Sequence, residues 1–221
     1  MFGCRVAVLA STLLLLMDAV APALPPDDDV PPEAVPAARG GLPSFLRALP
    51  DSELTHYGFD GAPELARATL GQPFRLYTLE PDDVFAGAEG RVTAMEGRAT
   101  NRVIFPVICD GRPRTLFTVA EIRGSWQAIE IGGLSPAPEL LELERQWPAA
   151  DGYRLRYIQV YPGGMQFVQV AQEGFQGLVP LESTARSLGL LAPDESYEFP
   201  ILPPDEVAIA LEPVIRAGLS E

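Results

Sequence analysis

Two short dipeptides do most to limit the folds open to this chain. Asp110-Gly111 and Arg123-Gly124 separate three runs rich in β-branched and aromatic residues, at 102–109, 115–122 and 125–131. Tight turns with residues at positive φ match the right-handed twist of their flanking strands. Each dipeptide therefore predicts a hairpin, and the two together predict an antiparallel meander. In the third run Gln127, Ile129 and Ile131 alternate with Trp126, Ala128 and Glu130. One face is thus mostly apolar and the other mixed, as when a sheet covers a core on one side. Pro106 and Pro113 donate no ladder bond, which places their strands at an edge or beside bulges.

A second hairpin is expected further on. Tyr153, Leu155, Tyr157, Gln159 and Tyr161 alternate with Arg154, Arg156, Ile158 and Val160; Pro162-Gly163-Gly164 turns the chain, and 165–171 returns. Shorter strands are expected at 73–79 and 196–202. Helices are expected at 45–49 after a Ser44 cap, at 63–70, and as a turn from Pro81. Three more follow, at 136–147, 181–188 and 204–217, the first with Leu140, Leu141, Leu143 and Trp147 near one face and the last bent at Pro213.

The class is therefore α+β: an antiparallel meander with hairpins, and helices packed on one face. A faint echo, 66–71 with 81–84 against 185–189 with 204–207, leaves open two pseudo-repeated αβ halves. The layout resembles the small α+β modules of secreted peptidase propeptides, cystatin-like inhibitors and periplasmic accessory proteins, a likeness of fold that carries no function.

Residues 6–17 are apolar apart from Ser11 and Thr12, and Ala21-Pro22-Ala23 offers small residues at the spacing of a cleavage site. This is the layout of a secretory signal peptide at 1–23, cleaved after Ala23. A retained anchor would have to include Asp18, at a cost of up to about 3 kcal/mol near mid-bilayer. The expected product is exported to the periplasm or beyond, with no integral membrane span. Residues 24–43 carry six prolines, four acids and no aromatic residue, which reads as a disordered tether. Residues 44–221 form one domain, with a subdivision near 148–152 left open.

The net charge of −14 survives removal of the leader, which takes one base, Arg5, and one acid, Asp18. Such a charge repels phosphate backbones and anionic lipid, so nucleic acid is not an expected partner. Cys4 leaves with the leader and Cys109 stands alone, so no disulfide is available and burial of the thiol is expected.

Catalytic signatures are sparse. His56 is the single histidine, so a Cys109–His56 dyad is the one thiol-and-base pair on offer, and no motif surrounds either residue. One His and one Cys do not make the usual zinc sets, and Gly132-Gly133 lacks the Lys of a phosphate loop. No cofactor is called for. Carboxylate pairs such as Asp82-Asp83, Glu142 with Glu144, and Asp205-Glu206 fit helix starts or solvated faces.

Tyr153, Tyr157 and Tyr161 share one face of a strand, with Trp126 beside the turn of the other hairpin and Arg154 and Arg156 on the opposite face. These six residues form a candidate binding face for a peptide or sugar; burial as a packing face is the competing reading. The expected function is a non-enzymatic module that binds another envelope or secreted protein through a sheet edge or the tyrosine face. The alternatives are a hydrolase using a carboxylate pair and a carrier with an apolar pocket.

Overall fold

The computed structural model describes residues 29–161, 163–192 and 194–220. The expected signal peptide and its cleavage site lie outside the described residues, as do 24–28 of the expected tether and Pro162 of the second turn.

In chain order the elements are α1 (Ala34–Ala48), α2 (Ala62–Leu65), β1 (Thr69–Leu70), β2 (Phe74–Leu79), α3 (Pro81–Ala88), β3 (Arg98–Cys109), β4 (Arg112–Ile122), β5 (Ser125–Gly132), α4 (Pro136–Gln146), β6 (Arg154–Val160), β7 (Met165–Gln172), β8 (Phe175–Pro180), α5 (Glu182–Ser187) and α6 (Pro204–Gly218). The strands form one sheet in the order β5-β4-β3-β2-β6-β7-β8, with β1 beside β3. Neighbours are antiparallel except for β2 and β6, which run parallel and join the two meanders. One sheet thus spans both sides of residues 148–152.

Local chemistry accounts for the hairpins. Asp110 and Gly111 have φ of 51° and 75°, and Arg123 and Gly124 have 51° and 79°. Both pairs adopt the positive-φ conformation that two-residue hairpin turns require. The two prolines lie beside bulges and not at an edge. The β3–β4 register shifts after Val107, leaving Arg114 as the extra residue on β4 next to Pro113. Pro106 sits within β3 where its other neighbour changes from β1 to β2.

Helices cover both faces of the sheet, a correction to the one-faced layer expected from sequence. Val103, Phe105, Val107, Phe117 and Val119 pack under α1 through Ala34, Ala38, Leu42 and Leu46. Leu79, Ile158, Val160 and Phe167 lie on the same face, under α3 and α6. The alternate residues Leu76, Ile104, Leu116, Tyr157, Val168 and Val179 point to the other face, where α4 lays down Leu140, Leu143 and Trp147. Both residue parities of the central strands are therefore apolar, the signature of a sheet buried on two sides. Each buried Leu or Phe contributes about 1.5–3 kcal/mol.

Several local expectations are also corrected. Residues 34–43, read as tether, belong to α1, and Val30 is 5% exposed in the core. Four-residue spacing of Ala34, Ala38, Leu42 and Leu46 outweighs the proline content: Pro36 falls in the first turn, where a missing N–H costs nothing, and burial of that face offsets the bond that Pro43 removes inside the helix. Ser44 lies inside the helix and caps nothing. The helix expected at 63–70 stops at Leu65, and Thr69–Leu70 pairs with β3. Residues 196–202 make a single bridge, Leu202 to Leu178, and β8 was not anticipated.

The pseudo-repeat is not confirmed. α3 and α6 do pack together, with Val84 and Val207 both buried. But β2 lies in mid-sheet, whereas 196–202 touches the sheet only at Leu202.

Candidate functional site

The six residues of the candidate binding face do not form one surface. Tyr157 is 3% exposed beneath α4, and Tyr153 packs at the margin of the same cluster. Burial pushes the Tyr157 hydroxyl pKa upward. Tyr161 alone of the three is exposed. Trp126 lies on the opposite face, packed against the α1 cluster with Ala128 and Ile131. Arg154 is exposed, while Arg156 is drawn into an ion pair described below. The tyrosine face is a core face, because α4 covers it; one strand's alternation cannot reveal which helix lies over it.

The sheet edges differ from one another. β8 is bridged on its outer side, where Leu178 and Leu202 exchange N–H···O bonds of 2.9 Å in both directions. β5 has no strand beyond it among the described residues. In the two-residue hairpin Ile122 and Ser125 are the first hydrogen-bonded pair, so Glu121–Trp126 and Val119–Ala128 fall at non-hydrogen-bonded positions. The backbone N–H and C=O of Trp126 and Ala128 therefore point away from β4.

The register then shifts, with Thr118 opposite Glu130 and Val119 opposite Ala128, so Ile129 is an extra residue on β5. That bulge explains why Trp126, Ala128 and Ile131 share the α1 face, where strict alternation would have separated Ile131 from the other two. The α1 helix approaches β5 closely: a Cβ on Gly41 would stand 2.4 Å from that of Ala128. The apolar face of β5 is thus sealed, while among the described residues nothing pairs with its outer backbone edge.

Cys109, Glu64 and Glu139 are held in structural contacts. Cys109 is fully buried and its thiol donates to the Glu64 carbonyl at 3.7 Å. Burial raises its pKa, with the nearby Glu64 carboxylate adding to the effect. His56 is exposed, on the turn Asp51–Tyr57, and no hydrogen bond joins it to Cys109. Glu64, itself 8% exposed, pairs with Arg114, which also binds Asp60 at 2.7 Å. Arg67, just past α2, pairs with Asp110 and so ties that segment to the hairpin turn.

Sequence reading missed this network, because Arg114 reaches Glu64 only through the β4 bulge. Glu139 accepts from the Glu182 N–H at 2.7 Å, capping α5. Burial pushes its carboxyl up to about 7, a rise moderated by that bond and increased by the Glu182 carboxylate. Among the described residues no group of three His, Cys, Asp or Glu side chains is placed to share a metal ion.

A polar row crosses the α1 face between the two apolar clusters. Arg156 stands opposite Gln169 on β7, and Gln169 opposite Leu178 on β8. One residue before the Leu76–Tyr157 pair, the parallel register sets Arg75 beside Arg156. Arg156 Nε donates to Asp29 Oδ2 at 2.6 Å, and its guanidinium lies 5.0 Å from the centre of the Tyr77 ring. Asp29 also lies by the Tyr77 hydroxyl; burial pushes that hydroxyl up to about 12, with the Arg156 charge opposing the rise and the Asp29 charge adding to it. An open groove of about 630 Å³ lies elsewhere, along α3, lined by Asp82, Asp83, Phe85, Glu89 and Arg91 among others.

No family model, curated protein or solved structure matches this chain. The site stands on its geometry alone.

Proposed function

We propose that this protein is an exported binding module that takes up an extended segment of another envelope or secreted protein along the outer edge of β5. The open backbone edge at Trp126 and Ala128 carries the reading. It offers main-chain donors and acceptors to an incoming strand while the core beneath is closed. The leader-like residues 6–23 support export. No helix among the described residues is long and apolar enough to cross a membrane. The net charge of −14 favours a partner segment carrying basic residues. The bulge at Ile129 limits pairing to a short stretch, which suits one bound peptide strand better than a run of copies.

Two measurements test this. The full chain, immobilised, captures a partner from the host's envelope extract, and that partner slows hydrogen exchange at the Trp126 and Ala128 amides. Ala128→Pro removes an outward N–H without removing a bond to β4, so it weakens capture at least tenfold while far-UV circular dichroism stays unchanged. Capture that survives Ala128→Pro with exchange on β5 unaltered rejects the edge.

A further inference from the structure

The polar row on the α1 face is more than the fold requires. Arg75 and Arg156 are neighbours on β2 and β6, and like charges side by side on adjacent strands repel. Next in the row comes Gln169, 1% exposed, whose Nε2 has no hydrogen-bond partner among the described residues. A buried amide donor left without an acceptor costs about 1–3 kcal/mol. The flanking residues of the same row, Val103 and Leu178, are fully buried and apolar. Two arginines and an unmet amide thus lie in one row across β2, β6 and β7, with Tyr77 beside Arg156, where simple packing would place aliphatic side chains.

Both arginines and Tyr77 meet at Asp29. The Asp29 carboxylate lies against Arg156 and the Tyr77 hydroxyl. Arg75 meets carbonyl oxygens: its Nη1 donates to Asp29 O and its Nε and Nη2 to Thr100 O, each at 3.2 Å. No carboxylate pairs with Arg75 among the described residues. Asp29 sits only five residues ahead of α1, on the segment that leads into the core at Val30.

We propose that this row is a binding site for a short organic dicarboxylate, and that Asp29 holds the first carboxylate place as a built-in competitor. The ligand would set one carboxylate on Arg156 in place of Asp29 and its second toward Arg75, with the Gln169 amide donating to it. The segment ahead of α1 would then lift from the sheet. This site uses residues apart from β5 and does not depend on partner binding there.

Succinate is the probe, acetate the monocarboxylate control and chloride the ionic-strength control, each titrated into the full chain and its Asp29→Ala and Asp29→Asn variants. In a variant that circular dichroism shows to be folded, succinate should raise the melting temperature saturably and shift the Nε–Hε resonances of both Arg75 and Arg156. Its affinity should exceed that of acetate at least tenfold, and Arg75→Gln should remove that margin. The wild type should need at least tenfold more succinate than either variant. Equal affinity for succinate and acetate would overturn the dicarboxylate assignment, and no effect beyond chloride would overturn the site. Should both variants fail to fold, a wild-type titration leaving the two arginine resonances unmoved at saturating succinate would also reject it.

Discussion

Cys109 and Tyr157 mark the two outcomes of reading a single residue without its surroundings. Cys109 was expected to be buried from composition alone, and it is, donating its S–H to the Glu64 carbonyl. Iodoacetamide should leave Cys109 unlabelled in the native protein over hours and modify it within minutes in denaturant; fast native labelling at Cys109 would contradict the burial. Tyr157 shows the reverse. Its alternation with Tyr153 and Tyr161 offered a surface, yet it lies beneath α4 with Leu140 and Leu143. Tyr157→Glu should therefore cost more than about 3 kcal/mol in urea denaturation, since it puts a charge where no partner waits. A soluble, equally stable variant would mean that α4 does not cover this position.

Elements were legible where pattern and turn chemistry agreed. The hairpins at Asp110-Gly111 and Arg123-Gly124, and helices α4 and α6, follow from local residues that favour a single conformation. α1 was hidden because its proline content spoke for disorder while its four-residue spacing of small apolar residues spoke for a helix. Only burial against the sheet makes the second win. The β5 bulge was hidden too, since one extra residue leaves no mark in alternation. It has a testable use. Deleting Ile129 would set Trp126, Ala128 and Ile131 on strict alternation and straighten the edge. Regular open edges pair with copies of themselves. The deletion should keep the far-UV spectrum and shift the protein toward dimers or larger species in light scattering; an unchanged monomer would show that the bulge does not guard the edge.

At the scale of the whole molecule, acidity shapes stability as well as solubility. Glu144 has a buried carboxylate oxygen with no hydrogen-bond partner among the described residues, and burial pushes its carboxyl up to about 7. Glu139 is raised to about 7 by the same cause. Unfolded, both groups would titrate near about 4.3, so the folded state holds the extra protons between those values. The stability linked to those protons is fully present below pH about 4.3 and is lost as pH rises through about 7. Melting temperature should accordingly fall between pH 5 and pH 8. Glu144→Gln should flatten part of that fall, exceeding the parent by about 1–2 kcal/mol at pH 8 and matching it near pH 4.5. A parent whose stability rises across this range would show that these two carboxyls are not buried as described.

The sequence by itself determined the α+β class and the strand-turn-strand units, because backbone conformations near a glycine turn and periodicities of two or four residues are set locally. Only the tertiary structure decided which strands become neighbours across long separations, and hence that helices lie on both faces. It also decided that Tyr157 points inward, that β5 has no strand beyond it among the described residues, and that Arg75, Arg156 and Gln169 form one row. Those outcomes depend on side chains tens of residues apart competing for the same buried space, and no local pattern records who wins.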